Sequence, residues 1–493
     1  MTFPSHRGGY VAAFTVALST LALISTAPAH AKTSERTTFL LSRAADGTFP
    51  NGDSRNAAVS HDQRIARVMA YESDASNIVN GDVNNTTDVF IVRRQGPWGQ
   101  HGTNWNMGGT ELASTGMGGA PANGPSMQPA LDGDSHHAPS CVAFVSAANN
   151  LVPGDTNGRQ DVFVRSLSTG AITRVSVDSH GVQGNGTSYD VSVDGDCEQV
   201  AFTSDSTNLG GGSGHKQVYV HFLNARGQNK KFNGQTLLVS ASTKGVPGNG
   251  DSGQPQFARA GKAVVFTSLA SNLARGDGNN VSDVYERTMK RVYKRKHHKG
   301  KQVLRFGTAL VSATRAGKAG NGASSTPSVS DDGRFVAYQT LASNLLKGDR
   351  NGVSDVAEAD MKGKRVKQSW VSKSKATSIG NGASGEPTIS DAGEFVFFQS
   401  LATNLKPSKS VHDDANGVQD VFLWNRPSGN VSLESRDWEN GYLDVPSGTP
   451  ATSSRGNYVP FVTRSKMADR QLSSLAAYGP TVDLVYLRYM GAK

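Results

Sequence analysis

The chain has only two cysteines among its 493 residues, few charged side chains (18%) and few aromatics (7%). Two thiols exclude a disulfide-dense scaffold and a zinc or iron–sulfur centre built from cysteine. Low charge beside 36% hydrophobic residues and 55 glycines excludes a disordered chain, which needs low hydrophobicity and high net charge. The 12 histidines are scattered, without His-x-x-x-His spacing, and no Gly-rich phosphate loop precedes a helix, because no helical periodicity is evident. Past residue 31 no run is long and apolar enough to cross a bilayer.

What is present begins with an export signal. His6 and Arg7 precede an apolar run from Tyr10 to Ile24, and Ala29-His30-Ala31 supplies the small-x-small pattern that signal peptidase cuts. Cleavage is expected after Ala31, giving an extracellular or periplasmic protein of residues 32–493. The competing reading is an uncleaved anchor helix, for which the run is short and rich in Ser and Thr.

The rest is one unit repeated. From Pro327 the chain reads PSVS, DDG, RFVAYQT, LASNLLKGDRNGVS and DVAEAD; from Pro387 it reads PTIS, DAG, EFVFFQS, LATNLK, DDANGVQ and DVFLWN. The same order recurs from Pro129, Val191 and Pro255, more weakly from Ala58, and most weakly from Ser447. The first residue of the DVF column falls at Asp88, Asp161, Gln217, Asp283, Asp355, Asp420 and Asp483, about 66 residues apart. Short apolar runs separated by Gly, Asn and Asp turns are strands, the Asp-Gly between the first two runs is a tight hairpin, and a fourth strand follows each DVF run. Four strands per unit at this period predict an all-β protein, a seven-bladed β-propeller of four-stranded antiparallel blades. The units lie near 45–116, 117–178, 179–241, 242–313, 314–373, 374–435 and 436–490 plus 37–44. The last unit lacks its fourth strand, and TTFLLSRA (Thr37–Ala44) is an orphan fourth strand. The N-terminal strand therefore closes the last blade, with Phe39–Ser42 expected beside Val482–Leu487. Degenerate first and last units leave six or eight blades as alternatives.

These units resemble the WD40-like (PD40) repeats of TolB-type propellers, P-x-x-S-x-D-G-x-x-(V/I)-A-F-x-S. They are closer still to exported bacterial TolB-like proteins carrying A-S-N-L-x-x-G-D-x-N-G-x-x-D-V-F. The resemblance covers almost all of residues 37–490. TolB itself has six blades and an N-terminal domain and acts through protein contacts; this chain has neither feature, so the resemblance implies a secreted propeller with a binding or scaffolding task rather than a TolB role.

The loops between the second and third strands carry the best chemical signal. Five units show Asp-x-Asn followed by a trailing Asp: Asp82/Asn84/Asp88, Asp155/Asn157/Asp161, Asp277/Asn279/Asp283, Asp349/Asn351/Asp355 and Asp414/Asn416/Asp420. Alternating oxygen ligands, a turn glycine and a trailing carboxylate suit Ca²⁺ and resemble a truncated calcium loop of other propellers. The same residues also cap turns without any metal, and both readings stand at this point. The column Asn77, Asn150, Asn208, Asn272, Asn344 and Asn404 reads as turn-capping. Gly250-Asp251-Ser252-Gly253 mimics a serine-protease loop, but other units carry NGASSTP and NGASGEP in the same slot, so Ser252 is a linker serine. Export permits a disulfide between Cys141 and Cys197, but the repeat alignment puts Cys197 two residues earlier in its unit, so the pairing stays open.

Net charge is +9, and the basic residues cluster. The run RTMKRVYKRKHHKGKQVLR (Arg287–Arg305) sits in the hairpin between strands three and four of the fourth unit. Its Lys290, Arg291, Lys294, Arg295, Lys296, Lys299 and Lys301 form a candidate anion-binding site. Aromatic interleaving is limited to Tyr293, which argues against nucleic acid. The expected partner is an envelope protein or an anionic polymer. The alternative is a polysaccharide-active lyase or hydrolase working at the central channel, although the strand-one segments there are rich in Ser, Gly and Pro.

Overall fold

The repeated runs form strands that pair in sequence order. The computed structural model describes residues 36–491 apart from 63–65, 95–104, 106–108, 135–136, 212–213, 224–226, 294–301, 364, 374–378, 406–415, 467, 471, 478 and 480. It contains seven separate four-stranded antiparallel sheets. The first unit sets the pattern with Ser54–Val59, Val68–Ser73, Asp88–Arg93 and Thr110–Leu112, innermost to outermost. The innermost strands of all seven sheets line a single cavity, so the sheets are blades around one axis. Among the described residues there is no α-helix, and no helix is long and apolar enough to cross a membrane.

The second and third strands are buried along nearly their whole length, for example Val68–Ser73 and Gln217–Phe222. Each blade is sandwiched between two neighbours, so both its faces need apolar side chains, and the runs read as continuous rather than alternating. Within a blade an aromatic on strand two stacks on one from strand three. The pairs include Tyr71/Phe90 at 5.7 Å, Phe144/Phe163 at 6.0 Å and Phe398/Phe422 at 5.9 Å between ring centroids. Clusters such as Tyr71, Phe90, Trp105, Tyr458, Leu487 and Tyr489 then join one blade to the next.

Thr37–Leu40 closes the ring against Leu484–Tyr489. The register is Thr37↔Tyr489 through Leu40↔Tyr486, and the Leu41 and Ser42 N–H groups both bond the Val485 carbonyl, so Phe39–Ser42 lie beside Val485–Leu487 as expected and the pairing extends back to Thr37. Two other expectations shift. Asp483 is not the last member of the DVF column. Thr463 pairs with Leu484, as Ser73 pairs with Asp88, and Asp483 lies outside the strand, bonded to Arg464 at 2.7 Å. Arg287 is not part of an open basic run: it is buried, donating to the Ala241 and Ser242 carbonyls, with its guanidinium 4.6 Å from the Phe306 ring.

Cys141 and Cys197 form a disulfide between blades two and three. The repeat alignment set them out of phase because Cys141 opens a strand while Cys197, at φ 56°, sits in the hairpin tip of the next blade, which leans back across the blade boundary.

Candidate functional site at the blade axis

The Asp-x-Asn loops form a hydrogen-bonded latch. Asn84, Asn157, Asn279, Asn351 and Asn416 each donate Nδ2–H to the trailing carboxylate, of Asp88, Asp161, Asp283, Asp355 and Asp420, at 2.6–3.1 Å. Nδ2 also donates to a carbonyl of the linker into the next blade: Ala122, Gly184, Gly320, Gly380 or Leu443. The asparagine Oδ1 accepts a loop N–H two residues on, for example from Arg159 at 2.8 Å. The other carboxylate oxygen accepts from a serine two residues past the end of the fourth strand, Ser114, Ser176, Ser312, Ser372 or Ser435, at 2.5–2.7 Å. Burial pushes the Asp88, Asp283 and Asp355 carboxyls up to about 6.

Blade three makes the same joint without an acid. Gln217 accepts from Ser240 and donates to the Gly248 carbonyl. In blade seven Ser42, from the N-terminal strand, accepts the Val485 N–H at 3.1 Å, as Ser114 accepts that of Val89. Of the leading aspartates, Asp155 is bridged to Asp161 by Gln183, Asp277 accepts from Tyr285, and Asp349 accepts the Asn351 N–H, whereas one buried oxygen of Asp82 has no partner. Asp414 lies outside the described residues. In this arrangement the asparagine oxygen is turned toward the loop backbone, and each oxygen of the trailing carboxylate accepts a hydrogen bond, as turn-capping residues do.

The turn-capping asparagine column takes part in a related tie: Asn77 accepts the Asn51 N–H at 3.0 Å, and Asn150 accepts that of Asn123. Ser252 is buried and paired with Ser268 at 2.8 Å, the pairing made by Ser54/Ser73 and Ser384/Ser400 elsewhere.

The basic run is a long hairpin. Strands three and four of blade four span Asp283–Tyr293 and Gln302–Leu310 and stay paired out to Tyr293↔Gln302, against six-residue third strands in the other blades. Lys290 is exposed and lies opposite Arg305. The Arg291 side chain and residues Lys294, Arg295, Lys296, Lys299 and Lys301 lie outside the described residues.

The axis holds what the sequence reading passed over. Six innermost strands carry one residue in the left-handed region, and in blade seven the residue just past Ser447–Gly448 takes that place, all at φ 44–54°: Asn56, Gln128, Asp190, Gln254, Thr326, Glu386 and Thr449. In six blades the pairing with strand two breaks there, as at a β-bulge. Five of these residues are followed by proline (Pro129, Pro255, Pro327, Pro387 and Pro450), which a bulge on an edge strand accommodates because no N–H is needed for the ladder. None of the seven is glycine, although left-handed backbone is strained for other residues, most of all for β-branched threonine. All seven line a cavity of about 410 Å³, together with His61 and Arg259.

Beyond the bulges the hairpins between strands one and two meet around the axis. Their tips are tied blade to blade by main-chain bonds: Gly133 N–H to Gly195 O, Gly195 N–H to Arg259 O, Asp331 N–H to Asp391 O and Asp391 N–H to Ser454 O, at 2.9–3.0 Å. Charged side chains gather here. His61 Nδ1 lies 2.6 Å from Asp391 Oδ1, and Arg259 reaches past blade three to donate to the Leu131 carbonyl of blade two at 2.8 Å. Burial, reinforced by Arg259, lowers the His61 pKa, so the ring is neutral and donates Nδ1–H to Asp391. Burial opposes the Asp391 carboxylate, but His61 and Arg259 outweigh it and its pKa falls. Burial pushes Asp132 and Asp331 up to about 6. The signal was legible in retrospect. The residue before each proline, and the residue after each hairpin serine (His61, Asp331, Asp391 and their counterparts), varies from unit to unit while its surroundings repeat.

No protein-family model matches the chain, and neither does any curated protein. Among solved structures it is similar to TolB from Acinetobacter baumannii, with 13% identity and a TM-score of 0.35 over 72% of this chain and 65% of that one. That match spans less than two thirds of TolB's own length. It is also similar to an oligogalacturonate lyase in complex with manganese (11%, TM-score 0.46, 92% and 96% of the two chains). A third likeness is to the β-propeller domain of the Trilobed protease from Pyrococcus furiosus, described as having an open velcro topology (10%, TM-score 0.44, 90% and 94%). What the chain shares with them is architecture.

Proposed function

We propose that the protein is an exported propeller of the cell envelope or extracellular space that binds a ligand in its axial channel and does not transform it. The observation carrying this reading is the ring of seven strained, non-glycine residues around a cavity in the size range of small-molecule sites. Export is supported by the leader-like residues 1–31 and by the Cys141–Cys197 disulfide, a feature of oxidising compartments. The scaffold role is supported by the latches, which repeat around the ring, and the basic hairpin of blade four is the proposed contact for an anionic polymer or envelope partner. Replacing Lys290, Arg291, Lys294, Arg295, Lys296, Lys299 and Lys301 by Ser is expected to abolish salt-sensitive retention on an anionic polymer column. Retention unchanged by those replacements removes the hairpin from the proposal.

One observation favours the second reading, an enzyme acting on acidic glycans. A neutral imidazole oriented by a carboxylate, beside a guanidinium, is what proton abstraction next to a carboxylate group requires. Incubation of the protein with acidic oligosaccharides separates the readings. Binding without product supports the first, and an unsaturated product lost in His61→Gln establishes the second. The latch and calcium expectations are separated by melting the protein in EDTA and in millimolar calcium. The latch predicts no change, whereas a filled site raises stability by about 2.7 kcal/mol at 100 times Kd.

A further inference from the structure

The bulge ring divides into two unlike arcs. Along one arc the ring's own side chains bond the ring. Gln128 Oε1 accepts the Asp190 N–H at 2.9 Å, Asp190 Oδ2 accepts the Gln254 N–H at 3.1 Å, and Gln254 Oε1 accepts the Thr326 N–H at 3.0 Å. At two other blades that duty belongs to strand-two residues set back from the lumen: Glu72 accepts the Gln128 N–H at 2.7 Å and Gln399 accepts the Thr449 N–H at 2.9 Å. The side chains of Thr326, Glu386, Thr449 and Asn56 are released by this arrangement. None of them makes a hydrogen bond among the described residues, and the Thr326 hydroxyl is buried without a partner. Glu386, Thr449 and Asn56 are exposed, and all four line the cavity.

The ionisable side chains lining the cavity are His61, Asp190, Arg259 and Glu386. Arg259 faces Asp391, Asp132, Asp331 and Asp194 and donates to Leu131. Asp190 accepts from Gln254 and from Thr203 Oγ1. His61 spends Nδ1–H on Asp391, which leaves Nε2 as an acceptor. Glu386 alone of the four has no partner among the described residues; its side chain opens to the lumen, and desolvation by the surrounding channel wall raises its pKa. With Gln256 and Thr388, which also line the cavity without a side-chain hydrogen bond among the described residues, the uncommitted groups of the lumen are a carboxylate, an imidazole nitrogen, three hydroxyls and two amides. All of them accept hydrogen bonds, and the one charge among them is negative. Their complement is a donor-rich cation, held more strongly in a narrow channel than in open water.

We infer that the channel takes an organic cation, an ammonium or guanidinium group on a slim chain, with Glu386 as counter-ion and Thr326, Thr449 and Asn56 completing its hydrogen bonds. This rests on the channel being the ligand site. It concerns the axis alone and is independent of the anion-binding hairpin at the rim. The strain at Thr326 and Thr449 fits the assignment: the backbone keeps β-branched residues at φ 45° and 44°, where asparagine or glycine is easier.

The test is isothermal titration calorimetry of the full chain with agmatine, cadaverine, galacturonate and glucose. Agmatine carries a guanidinium at one end and an ammonium at the other, and cadaverine an ammonium at both, so tighter binding of agmatine marks a preference for guanidinium and equal binding marks ammonium as sufficient. The expected result is binding of at least one cation and of neither control. Glu386→Gln is expected to weaken it about tenfold or more, Glu386→Asp to restore part of it, and Thr326→Val to weaken it severalfold, all with unchanged melting temperatures. Equal cation binding by wild type and Glu386→Gln overturns the inference. Binding of galacturonate with both cations excluded also overturns it, yet leaves the channel as the ligand site. Absence of binding by all four probes at tens of millimolar overturns it and counts against the channel reading as well.

Discussion

The rim and the axis of this ring are built on opposite rules. At the rim, five blades carry the same Asn–Asp–Ser latch, blade three reproduces its geometry with Gln217 and Ser240, and blade seven borrows Ser42 from the far end of the chain. At the axis, the same backbone position holds Asn, Gln, Asp, Gln, Thr, Glu and Thr in turn. The hairpin tips likewise hold His61, Arg259, Asp331 and Asp391 in different blades. Identical joints serve a task every blade shares, which is to stay attached to its neighbour. Residues that differ under an identical backbone serve a task the blades divide between them. Within one repetitive chain, variation between copies thus separates the supporting rim from the axis proposed for recognition.

The comparison can be broken at the rim first. Deleting Thr37–Leu40 strips blade seven of its outer strand and removes the buried Phe39 and Leu40, about 5 kcal/mol in side-chain burial alone, besides opening an edge. Cooperative thermal unfolding is expected to disappear or fall steeply, with aggregation visible by light scattering. Replacing Cys141 and Cys197 together by Ser frees a loop of 56 residues and is expected to cost about 4 kcal/mol in denaturant unfolding. Asp283→Ala leaves Asn279 and Ser312 without their acceptor and is expected to cost about 3 kcal/mol, leaving channel binding unchanged.

Acidity sharpens the contrast by a smaller amount. Asp88, Asp132, Asp283, Asp331 and Asp355 are raised in the fold to about 6, so between pH 4 and 6 the folded chain holds protons that the unfolded chain has released. Stability from these groups therefore increases as pH falls through 6. His61, and His221 lowered to about 4 by burial, resist protonation in the fold and oppose this gain below pH 6.5. Glu286 and Glu358, raised by burial to about 7, add to the gain, so a higher melting temperature is expected at pH 5.5 than at pH 7.5. The smallest effect belongs to the axis. Glu386→Gln should move stability by less than about 0.5 kcal/mol while abolishing most ligand binding.

Blade number, strand order and ring closure were legible because apolar runs, Asp-Gly hairpins and the orphan TTFLLSRA repeat a physical demand seven times over. Asp483 stood in for Leu484 because one residue of drift in a degenerate unit leaves its hydrophobic pattern almost intact. The Asp-x-Asn residues were found, but not their hydrogen-bond sense. An asparagine that offers its N–H₂ to a carboxylate and one that offers its oxygen to a cation are written with the same letter. His61, Arg259 and Glu386 are not legible from repetition, because each stands where its counterparts in the other units differ.

Closure has a consequence for the order of folding. Arg488 reaches Thr38 across 450 residues of chain, and the last blade has no outer strand until those two ends meet. Contacts that distant are slow to form, because the entropy of gathering the intervening chain is spent before they return anything. Six blades can assemble locally, each from about 66 consecutive residues, while the first strand waits unpaired. The final step is thus a single late docking event, and until it happens Leu487 and Tyr489 present an open strand edge. An open edge of that kind pairs readily with other chains, so aggregation competes with closure for as long as the ends stay apart.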